Sequence, residues 1–462
     1  MRLLFVTPEI APYSSATPTA ARCGGLPKAL RGRGHEVTVV SPLYGSIDAN
    51  ARGLGRRLRK IEGRADGESF SFALYDTRTA AGVTLLFLAQ EELFAKATER
   101  AVLEPSRDSA RAFEGFARAV VDLIRQDDDG FDRVVCHDWA TALVPTLAKE
   151  AGLTLSTVLE ISDVRATGRA GSAIESTLGL THGFLEAGIR DATRITTVSP
   201  SYAVQIAEDP ALGPLLTARG RDVSGIVGGV DVARWNPATD AHLFTRFDPM
   251  GLAGKLRCKS ALQRAHGMPT TNEVPLIAVI GRLDRSEGLD ALARITGRLL
   301  RNDVQVHVVG DGPPDAELVG VLNEHAERWP DRLSVVADAD ERAQHRALSA
   351  ADVVLVPPRQ SPAGSLALVA QRYGALPVAA RRGAVTDQIV DCDASLRTGN
   401  GFLFDDAAGE AGDDAMLAAL QRAVGAYADR RAFERLRATA LAADHGWDRA
   451  AYLYERLYES MG

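Results

Sequence analysis

The chain has 462 residues and a formal net charge of −7, and 46% of its residues are hydrophobic. This length predicts two or three domains, each long enough to bury its own core. The acidic balance argues against nucleic acid as a partner, and no apolar run approaches the ~20 residues of a membrane-spanning helix. Because four widely spaced cysteines favour neither a zinc site nor a disulfide framework, we predict a cytoplasmic protein. No metal-ligand spacing occurs in the sequence, and we predict neither a metal nor another cofactor.

The first half of the chain alternates short apolar segments with longer amphipathic ones. Residues 3–6 are apolar and are soon followed by Pro8 and Glu9, which favours a buried first strand over the core of a signal peptide. Amphipathic spacing predicts a helix over 111–125. Further strands are predicted at 36–40, 84–88, 133–136, 157–161 and 195–198. Their continuous apolar runs are typical of a parallel sheet covered on both faces.

The second half repeats this pattern after a segment at 236–254 whose prolines and glycines are typical of a linker. Its predicted strands lie at 276–281, 304–309, 333–336, 353–356 and 376–379, with a helix at 288–300. The repeated strand–helix order predicts an α/β protein with two Rossmann-like, doubly wound parallel-sheet domains facing each other across a cleft. We place these domains at 1–245 and 246–442, and a final helical segment at 443–462.

Short motifs spread in order along nearly the whole chain carry a family likeness. The most specific one is Trp-Asn-Pro-Ala-Thr-Asp at 235–240. The others lie at 3–13, 26–37, 137–143, 196–202, 229–231, 258–263, 281–290, 371–377 and 401–405. Together they resemble the bacterial glycogen synthases and plant starch synthases, which are retaining glycosyltransferases of the GT-B fold. The resemblance implies transfer of glucose from ADP-glucose to the end of an α-1,4-glucan, and a final helix at 448–460 that crosses back to the first domain.

Six positions keep residues that this family uses. By resemblance, Asp138 faces the donor sugar, Arg282 lies on the phosphate side, and Trp139 faces the acceptor glucan. The other retained substrate-side positions are Gly364, Gly383 and Asp387. An alternative interpretation makes Asp138 and Trp139 a strand-end cap with a packed indole, and Gly364 a turn residue.

The phosphate-binding elements of the family are altered. Its Lys-x-Gly-Gly loop corresponds to Ser15, Thr17 and Pro18, and proline has no N–H to donate to a phosphate. The lysine that follows Arg282 by five residues is Glu287 here. At about 5 Å and an effective dielectric of about 20, this exchange of charge changes the interaction by roughly 6 kcal/mol before solvent screening. Both changes oppose the binding of a diphosphate.

The positions implied to contact the sugar and the base are altered as well. The family's glutamate, His-Asn pair, asparagine and adenine-side tyrosine correspond to Ser361, Ser162 with Asp163, Gly228 and Ala339. Each loss removes a hydrogen bond or a stacking surface worth ~1–3 kcal/mol. Together with the phosphate-side changes, they describe a degenerate site.

Three functions remain open. We predict a glycogen synthase-like glycosyltransferase that is a catalytically impaired or inactive paralogue. The first alternative is a non-catalytic glucan-binding or regulatory protein of glycogen metabolism. The second is an active enzyme with a rewired donor site, whose new phosphate ligands would be Arg285, Arg359, Arg381 or Arg382. The predicted ligands are ADP-glucose or another nucleotide sugar and an α-glucan, with no nucleic acid or membrane; the sequence leaves the identity of a protein partner open.

Overall fold

The chain folds as two compact units. The computed structural model describes residues 1–96, 98–248, 250–356, 359 and 362–462. Unit 1 comprises residues 1–229 together with 447–462, and unit 2 comprises residues 230–446. The segment 230–245, which the sequence analysis placed in the first domain, thus belongs to unit 2. Among the described residues, no helix is both long and apolar enough to cross a membrane.

Unit 1 is built on one large sheet. Its strands are β1 (Arg2–Val6), β2 (Glu36–Pro42), β3 (Gly55–Ala65), β4 (Glu68–Arg78), β5 (Thr84–Ala89), β6 (Arg133–His137), β7 (Thr157–Ile161), β8 (Arg194–Thr197) and β9 (Val223–Gly225). Within the described residues the strand order is β3-β4-β5-β2-β1-β6-β7-β8-β9. Across the sheet, the neighbouring strands from β5 through β2, β1, β6, β7 and β8 to β9 pair in parallel, as predicted. Strand β4 pairs antiparallel with both β3 and β5.

Helices cover this sheet and bury its apolar strands. They are α1 (Pro18–Gly32), α2 (Glu99–Leu103), α3 (Arg107–Arg125), α4 (Asp138–Thr141), α5 (Val144–Glu150), α6 (Ala173–Leu178), α7 (Phe184–Asp191), α8 (Pro200–Ala207) and α9 (Gly213–Arg219). Short π and 3₁₀ turns lie at Glu91–Ala95 and Gly220–Asp222. The long amphipathic helix α3 begins at an N-cap, Ser106, whose hydroxyl accepts from the backbone N–H of Ser109.

The C-terminal helix (Asp448–Glu459) packs within unit 1. Glu455 of this helix forms an ion pair with Arg33, the residue that directly follows α1. The guanidinium of Arg133, at the start of β6, donates to the backbone oxygen of Tyr458 at 2.9 and 2.7 Å. The helix is therefore held by both a surface pair and buried hydrogen bonds.

Unit 2 is a smaller parallel α/β unit. Its strands are β10 (Leu276–Gly281), β11 (Gln305–Gly310), β12 (Leu333–Val336), β13 (Val353–Leu355), β14 (Leu376–Ala380) and β15 (Phe402–Phe404), and their order across the described sheet is β12-β11-β10-β13-β14-β15. Its helices are α10 (Ala253–Ala265), α11 (Leu289–Leu299), α12 (Ala316–Arg328), α13 (Glu341–Ala350), α14 (Ser365–Arg372), α15 (Val385–Gln388), α16 (Glu410–Ala428) and α17 (Arg430–Ala442). Every described strand pair is parallel, as the sequence predicts.

The specific 235–240 motif has a structural role in unit 2. The indole of Trp235 stacks on the imidazole of His345, with ring centroids 4.4 Å apart. The carboxylate of Asp240 accepts from the hydroxyl of Tyr373 at 2.5 Å and lies 2.6 Å from Nδ1 of His345. These buried contacts fix the segment that begins unit 2, which explains why tryptophan and aspartate occupy those two positions.

Candidate active site

The ends of β1, β6 and β7 lie side by side at one edge of the unit 1 sheet. Val6 pairs with Cys136, and His137 pairs with Glu160. Because these strands are parallel, the residues that follow them meet at their carboxyl ends, which is where open α/β sheets bind ligands. The site residues predicted in the first half of the chain therefore belong to neighbouring loops.

Asp138 directly follows β6, with a left-handed φ of 57° that few residues other than glycine adopt. Its carboxylate accepts from the hydroxyl of Thr19 at 2.7 Å and from the backbone N–H of Ser162 at 2.6 Å. Burial raises the pKa of Asp138 above its ordinary value. Since one bond reaches α1 and the other the end of β7, both oxygens of the carboxylate are engaged by the protein.

The loop between β1 and α1 is held by the carboxylate of Glu9. This fully buried group accepts from the backbone N–H of Ala16, and from the N–H and hydroxyl of Thr17 at 3.0 and 2.6 Å. Thr17 is the N-cap of α1 and Pro18 is its first residue, while Ser15 is exposed. Thr17 and Pro18 stand at the two positions where the resemblance places the glycines of the phosphate loop. The backbone N–H of Thr17 is bound to the carboxylate of Glu9, and Pro18 has no N–H.

Trp139 lies in the apolar core of unit 1. Only 3% of it is exposed, and its ring centroid lies 5.1 Å from that of Phe113 and 6.1 Å from that of Phe184. A Cβ at Gly168 would overlap the indole. Of the two interpretations that the sequence left open for this residue, the packed indole agrees with this environment.

The other altered positions of unit 1 are also engaged by protein groups. Ser162 is buried, with its hydroxyl 3.5 Å from that of Thr19. The carboxylate of Asp163 pairs with Arg165, whose Nε donates at 2.8 and 3.0 Å. Gly228 lies against the side chains of Arg22 and Trp447. The structure thus brings Ser162 to the edge where Asp138 lies, and places Gly228 beside the C-terminal segment.

In unit 2, Arg282 follows β10 and is paired with carboxylates of its own loop. Its Nη2 lies 3.3 Å from Oε1 of Glu287 and donates to the hydroxyl of Ser286 at 2.6 Å. Its Nε lies 3.2 Å from Oδ2 of Asp284. The side chains of Arg282 and Glu287 are only 30% and 18% exposed, so solvent screens this pair less than an open surface pair. The guanidinium that the resemblance places on the phosphate side is therefore paired with carboxylates of its own loop, one of them that of Glu287.

The arginines considered as replacement phosphate ligands are paired as well. Arg285 pairs with Asp315 and Glu317 at 3.2 and 2.6 Å. The remaining pairs are Arg359 with Asp290 at 3.0 Å, Arg381 with Asp391 and Asp405 at 3.4 and 3.5 Å, and Arg382 with Asp406 at 3.5 Å. An anion that bound any of these guanidinium groups would therefore compete with a carboxylate of the chain.

Gly364 and Gly383 lie where two loops of unit 2 touch. Gly364 is the N-cap of α14 and has a φ of 65°, and Gly383 has a φ of 57°. A Cβ at Gly383 would overlap the backbone of Pro362, whose carbonyl accepts from the N–H of Ala384 at 2.7 Å. Left-handed backbone and close approach both require glycine, which agrees with the turn interpretation of Gly364.

The remaining predicted positions of unit 2 are spread over separate elements. Asp387 is an exposed residue of α15. Ala339 follows β12 and packs, half-buried, against an apolar cluster of unit 2. Ser361 lies outside the described residues.

Comparison with known proteins gives one consistent result. Residues 2–218 match the Starch synthase catalytic domain, and residues 274–422 match Glycosyl transferases group 1. Glycogen synthases of Anaeromyxobacter sp. (strain Fw109-5) and Anaeromyxobacter dehalogenans (strain 2CP-C) are 37% and 34% identical, over 100% of this chain and 99% and 100% of their own lengths. The chain belongs to the glycogen/starch synthase family.

A solved structure supports the same assignment. The catalytic domain of starch synthase IV from Arabidopsis thaliana, bound to ADP and acarbose, has a TM-score of 0.88 at 25% identity and covers 100% of this chain and 99% of its own. The predicted GT-B fold of the glycogen/starch synthase family is thereby confirmed.

His137, the histidine of the family-like motif at 137–143, is the last residue of β6 and is buried directly before Asp138. Its Nδ1 donates to the backbone oxygen of Val6 at 3.2 Å, and its ring stacks on Phe5 at 5.7 Å. Burial lowers the pKa of His137 to about 3. The imidazole is therefore neutral near pH 7 and acts as a structural link between β6 and β1.

Sequence reasoning missed the residues that hold these loops. Glu9 binds the loop before α1, and Thr19 binds Asp138. Arg22 and Glu160 form a buried ion pair in the same unit. One signal was available, because Glu160 stands inside an apolar strand and a buried charge needs a partner. The partner, 138 positions earlier in the chain, could not be identified from periodicity.

Proposed function

We propose that this member of the glycogen/starch synthase family no longer transfers glucose from ADP-glucose to an α-1,4-glucan at the normal rate. The ion pair between Arg282 and Glu287 carries this proposal. Departure of a nucleoside diphosphate needs positive charge aimed at its phosphates in the transition state. A guanidinium that is already bound to a carboxylate 3.3 Å away supplies little of that charge.

The loop before α1 in unit 1 supports the same proposal. The N–H of Thr17 donates to Glu9, and Pro18 has none. By family resemblance this loop would supply backbone N–H groups and a lysine to the phosphates, and here it supplies neither. Asp138 keeps the family's carboxylate, which we propose now joins three elements of unit 1 through Thr19 and Ser162.

The enzyme with a rewired donor site is the weaker alternative. Its four candidate arginines all have carboxylate partners within 3.5 Å. The ADP and acarbose in the Arabidopsis structure make ADP and a maltooligosaccharide the ligands to test in this chain. Cytoplasmic location stays a prediction.

Titration calorimetry of the purified protein with ADP-glucose and with ADP tests this proposal. We expect no measurable heat at millimolar ligand and no glucose transfer to a maltooligosaccharide. Glu287→Lys should raise the affinity for ADP by at least about tenfold, because it removes a negative charge and adds a positive one beside Arg282. Glu68→Lys is the matched control, since it makes the same change on an exposed side chain paired with Arg111, an arginine outside the candidate site. Micromolar binding of both ligands by the unaltered protein, with glucose transfer, would refute the proposal.

A further inference from the structure

A buried ion pair joins α1, β7 and the C-terminal helix inside unit 1. The guanidinium of Arg22 pairs with the carboxylate of Glu160 and donates to the hydroxyl of Tyr454. That hydroxyl donates in turn to Glu160 at 2.9 Å. Arg22 is 5% exposed, and the other two side chains are fully buried. Because a buried charge that loses its partner is strongly destabilising, the guanidinium is fixed in this position.

The indole of Trp447 lies beside this guanidinium and is fixed as well. The Cζ atom of Arg22 lies 5.4 Å from the centroid of the Trp447 ring. On the other side, a Cβ at Gly25 of α1 would overlap the indole, so α1 approaches it as closely as a glycine permits. The indole therefore has no room to move toward α1.

Gly228 faces both of these fixed groups. A Cβ at this position would lie 2.6 Å from Nη1 of Arg22 and 2.9 Å from Cη2 of Trp447. Both distances are shorter than the ~3.5–4.0 Å at which non-bonded heavy atoms attract. Even a methyl group at position 228 would require the buried pair or the indole to shift.

We propose that Arg22, together with Trp447, occludes the side-chain position of residue 228. This inference rests on the proposed function, because it identifies what excludes the family's asparagine from that position. The absence of that amide and the presence of Arg22 are then coupled. Returning asparagine alone to position 228 cannot rebuild that part of the site.

A double-mutant cycle on thermal unfolding tests the occlusion. Gly228→Asn should lower the unfolding midpoint of the full chain by about 5 °C or more. In an Arg22→Val/Glu160→Gln background, which removes the guanidinium and keeps an acceptor for Tyr454, the same substitution should lower it by about half as much, because only the contact with Trp447 remains. Gly32→Asn is the matched control, because a Cβ at Gly32 meets nothing within 4 Å.

Equal losses in the two backgrounds, or no loss in the unaltered chain, would overturn the proposal, since independent structural roles give additive effects. If the background variant fails to fold, Gly228→Ala decides the question. Because the overlap begins at Cβ, alanine should cause most of the loss that asparagine causes, and a harmless alanine would refute the occlusion. These measurements use no ligand, so an active wild-type enzyme would refute the proposed function without affecting this result.

Discussion

Among the buried titratable side chains, Glu9 in unit 1 and Lys255 in unit 2 both have a pKa displaced to near neutrality, and the two shifts have opposite signs. In unit 1, burial raises the pKa of Glu9 to about 7. In unit 2, burial and the nearby Arg437 lower the pKa of Lys255 to about 7. Glu9 accepts three hydrogen bonds, whereas the ammonium of Lys255 donates to the backbone oxygen of Ser349 at 3.2 Å.

The two buried groups differ in how the surrounding protein stabilises their charged forms. The carboxylate of Glu9 organises the loop before α1, and the hydrogen bonds that it accepts offset part of the cost of its burial. Lys255 lies in a cluster where Lys259 and Arg437 already share the carboxylate of Asp352, at 2.7 and 2.8 Å. As pH rises, we therefore expect the contribution of Glu9 to the stability of unit 1 to fall and that of Lys255 to the stability of unit 2 to increase.

The largest expected effect is that of Lys255→Met. The unfolded state binds more protons than the folded state between the folded pKa of about 7 and the ordinary value of 10.5, so the stability of unit 2 should rise with pH across that window. At pH 6 the variant should therefore be more stable than the unaltered chain by up to about 5 kcal/mol. Hydrogen exchange of unit 2 peptides measures the difference.

Lys149→Met is the control for this prediction, because the side chain of Lys149 is 78% exposed. It should leave the pH dependence of unit 2 unchanged. If Lys255→Met destabilises unit 2 at pH 6, the buried amine is better stabilised than its surroundings indicate.

The next effect is that of Glu9→Gln on unit 1. The folded carboxyl has the higher pKa, so its contribution to stability is fully present below about pH 4.5 and is lost as pH rises through 7. Relative to the variant, the unaltered chain should lose about 3 kcal/mol between pH 4.5 and pH 8. Hydrogen exchange of unit 1 peptides tests this expectation, with Glu36→Gln as an exposed control.

A smaller effect is expected from Thr19→Val. This substitution keeps the side-chain volume but removes the hydrogen bond to Asp138, so it should cost about 1–2 kcal/mol in the free energy of unfolding and raise the pKa of Asp138 further. Chemical denaturation and the titration of Asp138 by NMR measure the two quantities. Unchanged values would show that the N–H of Ser162 alone holds the carboxylate.

The sequence predicts the buried strands of the fold well and its edges poorly. Continuous apolar runs predict β1, β6 and β7, which are covered on both faces. The hairpin of β3 and β4 was missed because β3 lies at the edge of the sheet, and the charged residues in its first half are largely exposed. Hydrophobic runs are informative where both faces are buried, and an edge strand has no such constraint.

The candidate site shows a similar limit. The Glu287 substitution was visible in the sequence, because its partner Arg282 lies five residues away. The hydrogen bond from the N–H of Thr17 and the side chains packed against Gly228 could not be recognised in the sequence, because folding brings their partners together. Family motifs show which residues differ from the family, whereas the structure shows which groups of the chain contact those positions.

Because residues 447–462 belong to unit 1, this unit cannot be completed until the end of the chain has been synthesised. A ribosome produces residues 1–229 first, but Trp447 and Tyr454, which complete the interior of that unit, emerge only after all of unit 2. Although domains generally fold in the order of their synthesis, unit 2 can finish before unit 1 here. Until then, the nascent chain carries an unclosed surface around Arg22 and Glu160, which a chaperone could recognise.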